Sequence, residues 1–173
     1  MNIGILKDIK QGENRVIATP AEIATLVADG NAVKVQRGAG VKAGFEDAAY
    51  ETAGAVLVET AGEIYNTCDL VAKVKELEPS EYTMLREGQI VFTCIHPAAH
   101  PEEVQALLDK KVIAFTAEDA HRYGSPNCEA AGKQGALFGL ESMLTIHGGK
   151  GKFVSGLGGA PGMKVLILGG GIV

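Results

Sequence analysis

The chain has 173 residues, enough for one well-filled core plus part of a second. An apolar content of 46% excludes disorder as the default, and the absence of tryptophan with few other aromatics argues against base-stacking nucleic-acid readers. A net charge of −5 without a basic cluster argues against DNA, RNA and anionic membranes, while leaving room for a small anion held by a few convergent cations.

Taken in chain order, short apolar runs alternate with helical patterns. The strands are expected at Ile3–Leu6, Ala32–Gln36, Ala55–Val58, Leu70–Lys75, Ile90–Ile95, Val112–Thr116 and Lys164–Leu168. Helices are expected at Pro20–Ala28, Asp47–Ala53, Ala61–Asn66, Glu81–Leu85 and Pro101–Lys110, with a longer one from Glu129 to His147. Thr19-Pro20-Ala21-Glu22 carries an N-cap, a proline at N1 and a glutamate at N3, a strong helix start. In the long helix Ala131, Leu137, Leu140, Met143 and Leu144 are available for burial. Alternating strands and helices predict an α/β fold, a parallel sheet with helices on both faces.

The N-terminal strand is short and followed by charged residues, so neither a signal peptide nor a membrane span is expected there. Cys68, Cys94 and Cys128 are odd in number and lack C-x-x-C spacing, which predicts reduced, buried thiols and a cytoplasmic protein. The boundary of the first domain is placed at residue 128, the linking helix at 129–147, and a glycine-rich loop with a final strand at 148–173.

In a parallel α/β sheet, ligands bind outside the carboxyl ends of the strands. Arg15 follows the first strand, Lys75 and His96 end the fourth and fifth, and Glu118 follows the sixth. All four should open onto one rim. Arg15 can hold a carboxylate with two parallel bonds, Lys75 adds a compact charge, and a histidine exchanges protons near neutral pH. Such a set suits a small 2-oxo or 2-amino acid. Each residue also has a structural alternative: Arg15 could pair with Glu13 or Asp8, His96 could sit hydrogen-bonded in the core, and Glu118 could be a capping carboxylate. Lys73 lies deeper and is expected in a structural ion pair. His96 and His100 are four apart but separated by Pro97-Ala-Ala, a poor frame for a metal, and none is expected.

The last strand candidate leads into Gly169-Gly-Gly171, which fill the first two glycine places of a G-x-G-x-x-G dinucleotide fingerprint. The third place falls beyond Val173, so Gly169 and Gly171 are expected to contribute only part of a cofactor site.

Several stretches resemble one family: Met1-Asn-Ile-Gly-Ile-Leu-Lys-Asp-Ile-Lys, Glu13-Asn-Arg-Val-Ile-Ala-Thr-Pro20, Gly44-Phe-Glu-Asp47, Asp69-Leu-Val-Ala-Lys-Val-Lys-Glu76, Phe92-Thr-Cys-Ile-His96 and Glu129-Ala-Ala-Gly132. They are similar to alanine dehydrogenases and to the α subunit of proton-translocating nicotinamide nucleotide transhydrogenase. The resemblance implies a flavodoxin- or Rossmann-like substrate lobe, a linking helix, and the first strand of a truncated NAD-binding lobe. It implies an NAD-dependent L-amino-acid dehydrogenase acting on pyruvate or alanine, a homo-oligomer in its relatives, with Lys75 and His96 catalytic and Arg15, Lys75, Glu118 and Asn127 around the substrate. Without a complete NAD lobe the chain alone is expected to be inactive. The alternatives are a transhydrogenase domain fragment and a non-catalytic oxo-acid-binding module. Transhydrogenases usually lack the histidine at position 96, which favours the dehydrogenase branch. Three residues depart from the family pattern. Leu77 stands where proline is usual, and Asn127-Cys128 replace methionine and serine, which leaves room for a larger or more polar amino acid.

Overall fold

The computed structural model describes residues 1–118, 120, 125–171 and 173. The chain forms two compact units, Met1–Ala120 and His121–Val173.

The first unit is a six-stranded sheet: β1 (Asn2–Ile5), β2 (Ala32–Gln36), β3 (Val56–Val58), β4 (Leu70–Ala72), β5 (Ile90–Thr93) and β6 (Ile113–Thr116). The intervening helices are α1 (Pro20–Ala28), α2 (Asp47–Thr52), α3 (Ala61–Thr67), α4 (Pro79–Tyr82) and α5 (Pro101–Asp109). Strand order is β3-β2-β1-β4-β5-β6, and every neighbouring pair is parallel. The winding therefore reverses between β1 and β4, and a crevice opens at the carboxyl ends of those two strands.

Alternation along the strands builds two cores. Ile3 and Ile5 of β1 join Val33, Val35, Ile23 and Tyr50 beneath α1 and α2. Leu6 and Val71 join Ile64, Tyr65, Val91 and Leu107 beneath α3 and α5 on the other face. Gly4 faces α3, where a Cβ would lie 2.3 Å from Ile64 Cγ2 and 3.0 Å from Cys68 Sγ. Only glycine lets this helix approach so closely. The helical cover thins at the β6 edge, where Ile113 and Phe115 are 50% and 56% exposed.

Several elements differ in extent from the sequence expectation. Lys73 N still reaches Phe92 O at 3.2 Å, but the β4 ladder has ended at Ala72, so Lys75 lies on the turn beyond the strand. Helix α4 begins at Pro79 rather than Glu81, because the Glu81 carboxylate reaches back to Glu78 N and makes Glu81 the N3 residue of a cap.

In the second unit α6 runs Pro126–Glu141, starting earlier and stopping sooner than expected. Ser125 caps it by accepting from Cys128 N, and a separate 3-10 turn, Thr145–His147, follows. The side chains expected to be buried on this helix are not. Leu137, Leu140 and Leu144 are exposed and line an open apolar cleft with Phe153, Val154 and Met163. The run Lys164–Leu168 is not a strand; no ladder forms there among the described residues, and Leu166, Ile167 and Leu168 are largely exposed. An apolar run becomes a strand only when another strand takes up its backbone groups.

Candidate functional site at the carboxyl rim of the sheet

Past the ends of β1 and β4 the backbone is tied down by one buried carboxylate. Asp8 accepts from Lys10 N at 3.0 Å and, across the crevice, from Lys75 N at 2.9 Å. Beneath it Lys73, 1% exposed, pairs with Glu81 at 2.7 Å and lies 3.9 Å from Asp8. Tyr65 donates its hydroxyl to the same Glu81 at 3.0 Å, and burial pushes its phenol far up. The ion pair expected of Lys73 is present, and it serves as the floor of the rim.

Arg15 folds onto Glu13: Nε donates to Oε1 at 2.8 Å and Nη2 to Oε2 at 2.6 Å. The Arg15 side-chain bond holds the Glu13 carboxyl down at about 2, against the opposing effect of burial; the Lys75 charge adds to the lowering. Glu13 in turn raises Arg15, with smaller contributions from Cys94 and Asp8. Arg15, Glu13, Asp8 and Lys75 are therefore in mutual electrostatic reach. Pairing with Glu13, the structural alternative for Arg15, is what the free chain adopts. Arg15 remains 49% exposed at its side chain, on a small cleft lined by Lys7, Asp8, Glu13, Gly38 and Lys42.

His96 lies three residues beyond β5 with φ of 47°, a left-handed conformation that a non-glycine residue adopts only under constraint. Glu118 supplies that constraint. Its Oε1 accepts from His96 N at 3.0 Å and lies 3.2 Å from Nδ1, while Thr116 Oγ1 holds the other carboxylate oxygen. Thr93 Oγ1 donates to Lys75 O at 2.5 Å, joining the end of β5 to the Lys75 turn. The four rim residues thus all lie beyond the carboxyl ends of β1, β4, β5 and β6. They form two groups, Arg15–Glu13–Lys75 and His96–Glu118.

Sequence reasoning did not single out Glu76, whose side chain is 5% exposed and meets Lys10, His96 and His100. In sequence it is one acid among many in a charged run, and nothing there signals its burial. The Leu77 departure has a physical account: Leu77 N donates to buried Glu103 Oε1 at 2.7 Å, a bond proline cannot make. Burial pushes the Glu103 carboxyl up to about 7.

Cys68 and Cys94 are buried free thiols, and Cys128 is half-buried. Among the described residues no group of His, Cys, Asp and Glu is arranged to hold a metal, and no helix is long and apolar enough to cross a membrane. In the second unit Asn127 is half-buried in the first turn of α6. Gly169 has φ of 100° and stands with Gly171 in an unpaired, exposed segment. The described residues around them include neither a paired strand nor a helix N-terminus.

A doubly wound parallel domain thus carries cations, a histidine and carboxylates beyond the carboxyl ends of its strands, where ligands bind in folds of this class. Residues 4–130 match the family "Alanine dehydrogenase/PNT, N-terminal domain", and the chain belongs to that family. Alanine dehydrogenase of Bacillus subtilis (strain 168) is 40% identical over 178 residues, covering 100% of this chain and 47% of that protein. Alanine dehydrogenase of Methanococcus maripaludis is 38% identical, covering 100% of this chain and 48% of that protein. A solved L-alanine dehydrogenase superposes with a TM-score of 0.88 at 35% identity, covering 99% of this chain and 49% of the other. A transhydrogenase from Sinorhizobium meliloti shares the fold, with a TM-score of 0.67 at 24% identity over 84% of this chain and 43% of the other. The chain spans about half the length of the curated relatives it matches.

Proposed function

We propose that this chain is the substrate-holding half of an NAD-dependent L-amino-acid dehydrogenase of the alanine type. The observation that carries the reading is the placement of Arg15, Lys75, His96 and Glu118 on one sheet rim in a chain 40% identical to an alanine dehydrogenase. Arg15 takes the substrate carboxylate by releasing part of its fork from Glu13. Lys75, held by Asp8 and Thr93 at its backbone, places an ammonium against the carbonyl oxygen of the 2-oxo acid and polarises it. His96 moves the proton at that group, steadied through Nδ1 by Glu118. NAD supplies the hydride acceptor; its binding is assigned to the portion of the protein that corresponds to the uncovered half of the relatives. Residues 1–128 then form the substrate domain, 129–147 the link, and 148–173 the entry to the cofactor domain. The whole protein is a cytoplasmic homo-oligomer.

The test is His96→Ala in the full-length protein. Turnover should fall by about 10²–10⁴-fold while pyruvate binding stays within a few-fold of wild type. Equal loss of binding and turnover contradicts the role given to His96.

A further inference from the structure

Glu76 has two oxygens in different situations. Oε1 is occupied by Lys10 Nζ and by His100 Nε2, the latter at 3.3 Å. Oε2 is buried, and no hydrogen-bond donor reaches it among the described residues. The group nearest to claiming it is His96 Nδ1, 3.8 Å away, on the side of the ring that also faces Glu118 Oε1 at 3.2 Å. His100 stands edge-on to the same ring, with centroids 6.4 Å apart and planes at 68°, so the imidazole is flanked on this side as well.

We propose that Glu76 is a positioning residue for His96, acting with Glu118 to keep the proton on Nδ1 and so leave Nε2 as the basic nitrogen. Two partners fix Oε1, so the carboxylate cannot turn away, and its unpaired oxygen is presented to the imidazole. A buried carboxylate oxygen without a donor is a standing demand for one, and a small tilt of His96 supplies it. Two carboxylates on one ring nitrogen fix the tautomer more firmly than one, because the proton stays bonded while the ring rocks between them. The charged groups that face the ring are Glu118 beyond β6, Glu76 beyond β4, His100 at the start of α5, and Lys10, which reaches it through Glu76. The value of this arrangement for proton transfer rests on the dehydrogenase reading; the ring's tautomer does not.

The experiment is nitrogen-15 NMR of the histidine side chains in the 173-residue chain, with the His96 signals assigned by comparison with His96→Asn. The wild type should show the Nδ1-protonated tautomer at high pH. Glu118→Gln should keep that tautomer, since Glu76 remains. Glu118→Gln combined with Glu76→Gln should release the ring to the Nε2-protonated form, and Glu118→Gln combined with Glu76→Asp should keep the proton on Nδ1. The proposal is overturned if Glu118→Gln alone turns His96 into the Nε2-protonated form, or if the tautomer is unchanged when Glu118→Gln and Glu76→Gln are combined. Should Glu76→Gln fail to fold, the Glu118→Gln spectrum decides. No turnover enters these measurements, so absent alanine oxidation in the full-length protein would sink the enzymatic reading without touching this one.

Discussion

Two carboxylates of the first unit titrate in opposite senses, and each leaves its own mark on stability. Glu13, held near 2 by Arg15, contributes stability that is present above its unfolded value of 4.5 and is lost as pH falls toward 2. Arg15→Ala should therefore weaken the acid-side loss of stability that the wild type shows. Buried Glu103, raised to about 7, behaves inversely. Its folded state keeps a proton that the unfolded chain has released, so its contribution is full below 4.5 and declines as pH rises through 7. Glu103→Gln keeps an acceptor for Leu77 N and removes the titration. Thermal melts should show a smaller drop in Tm between about pH 5 and about pH 8 than in wild type; an unchanged drop would rule out Glu103 as the source. At this scale the sequence was only partly readable. Arg15, Lys75, His96 and Glu118 follow apolar runs, and strand ends can be counted. Glu13 decides how Arg15 is held and Glu76 lies buried beside His96, yet a carboxylate in a charged stretch looks solvated until the fold buries it.

Among the elements, α3 packs directly on Gly4 of β1. Gly4→Ala drives a methyl into Ile64 and should cost about 1–3 kcal/mol, read as a lowered Tm with an intact fold. A Tm equal to wild type would mean that α3 shifts without cost. The same strand-and-helix scale was largely legible from pattern: six strands of the parallel sheet and five helices lie where alternation and capping put them. The ends were less so, because they depend on partners. The β4 ladder stops at Ala72 although the apolar run continues, and α4 starts two residues early on its Glu78–Glu81 cap. Lys164–Leu168 illustrates the limit, since its composition is that of a strand while pairing requires a neighbour that composition cannot supply. Leu77→Pro tests the other departure from family pattern. Removing the N–H that binds Glu103 should destabilise the first unit by about 1–3 kcal/mol, and denaturant unfolding measures it.

At the scale of the whole molecule, the first unit holds the polar rim, and in the second Gly169 and Gly171 stand in an exposed, unpaired segment. The full-length protein is the direct test of the central claim. NADH consumption in the presence of pyruvate and ammonia should be readily measured, should require both, and should fall by at least about 10²-fold in Lys75→Ala. No ammonia-dependent NADH consumption by a folded full-length protein, with pyruvate or with larger 2-oxo acids, would contradict it.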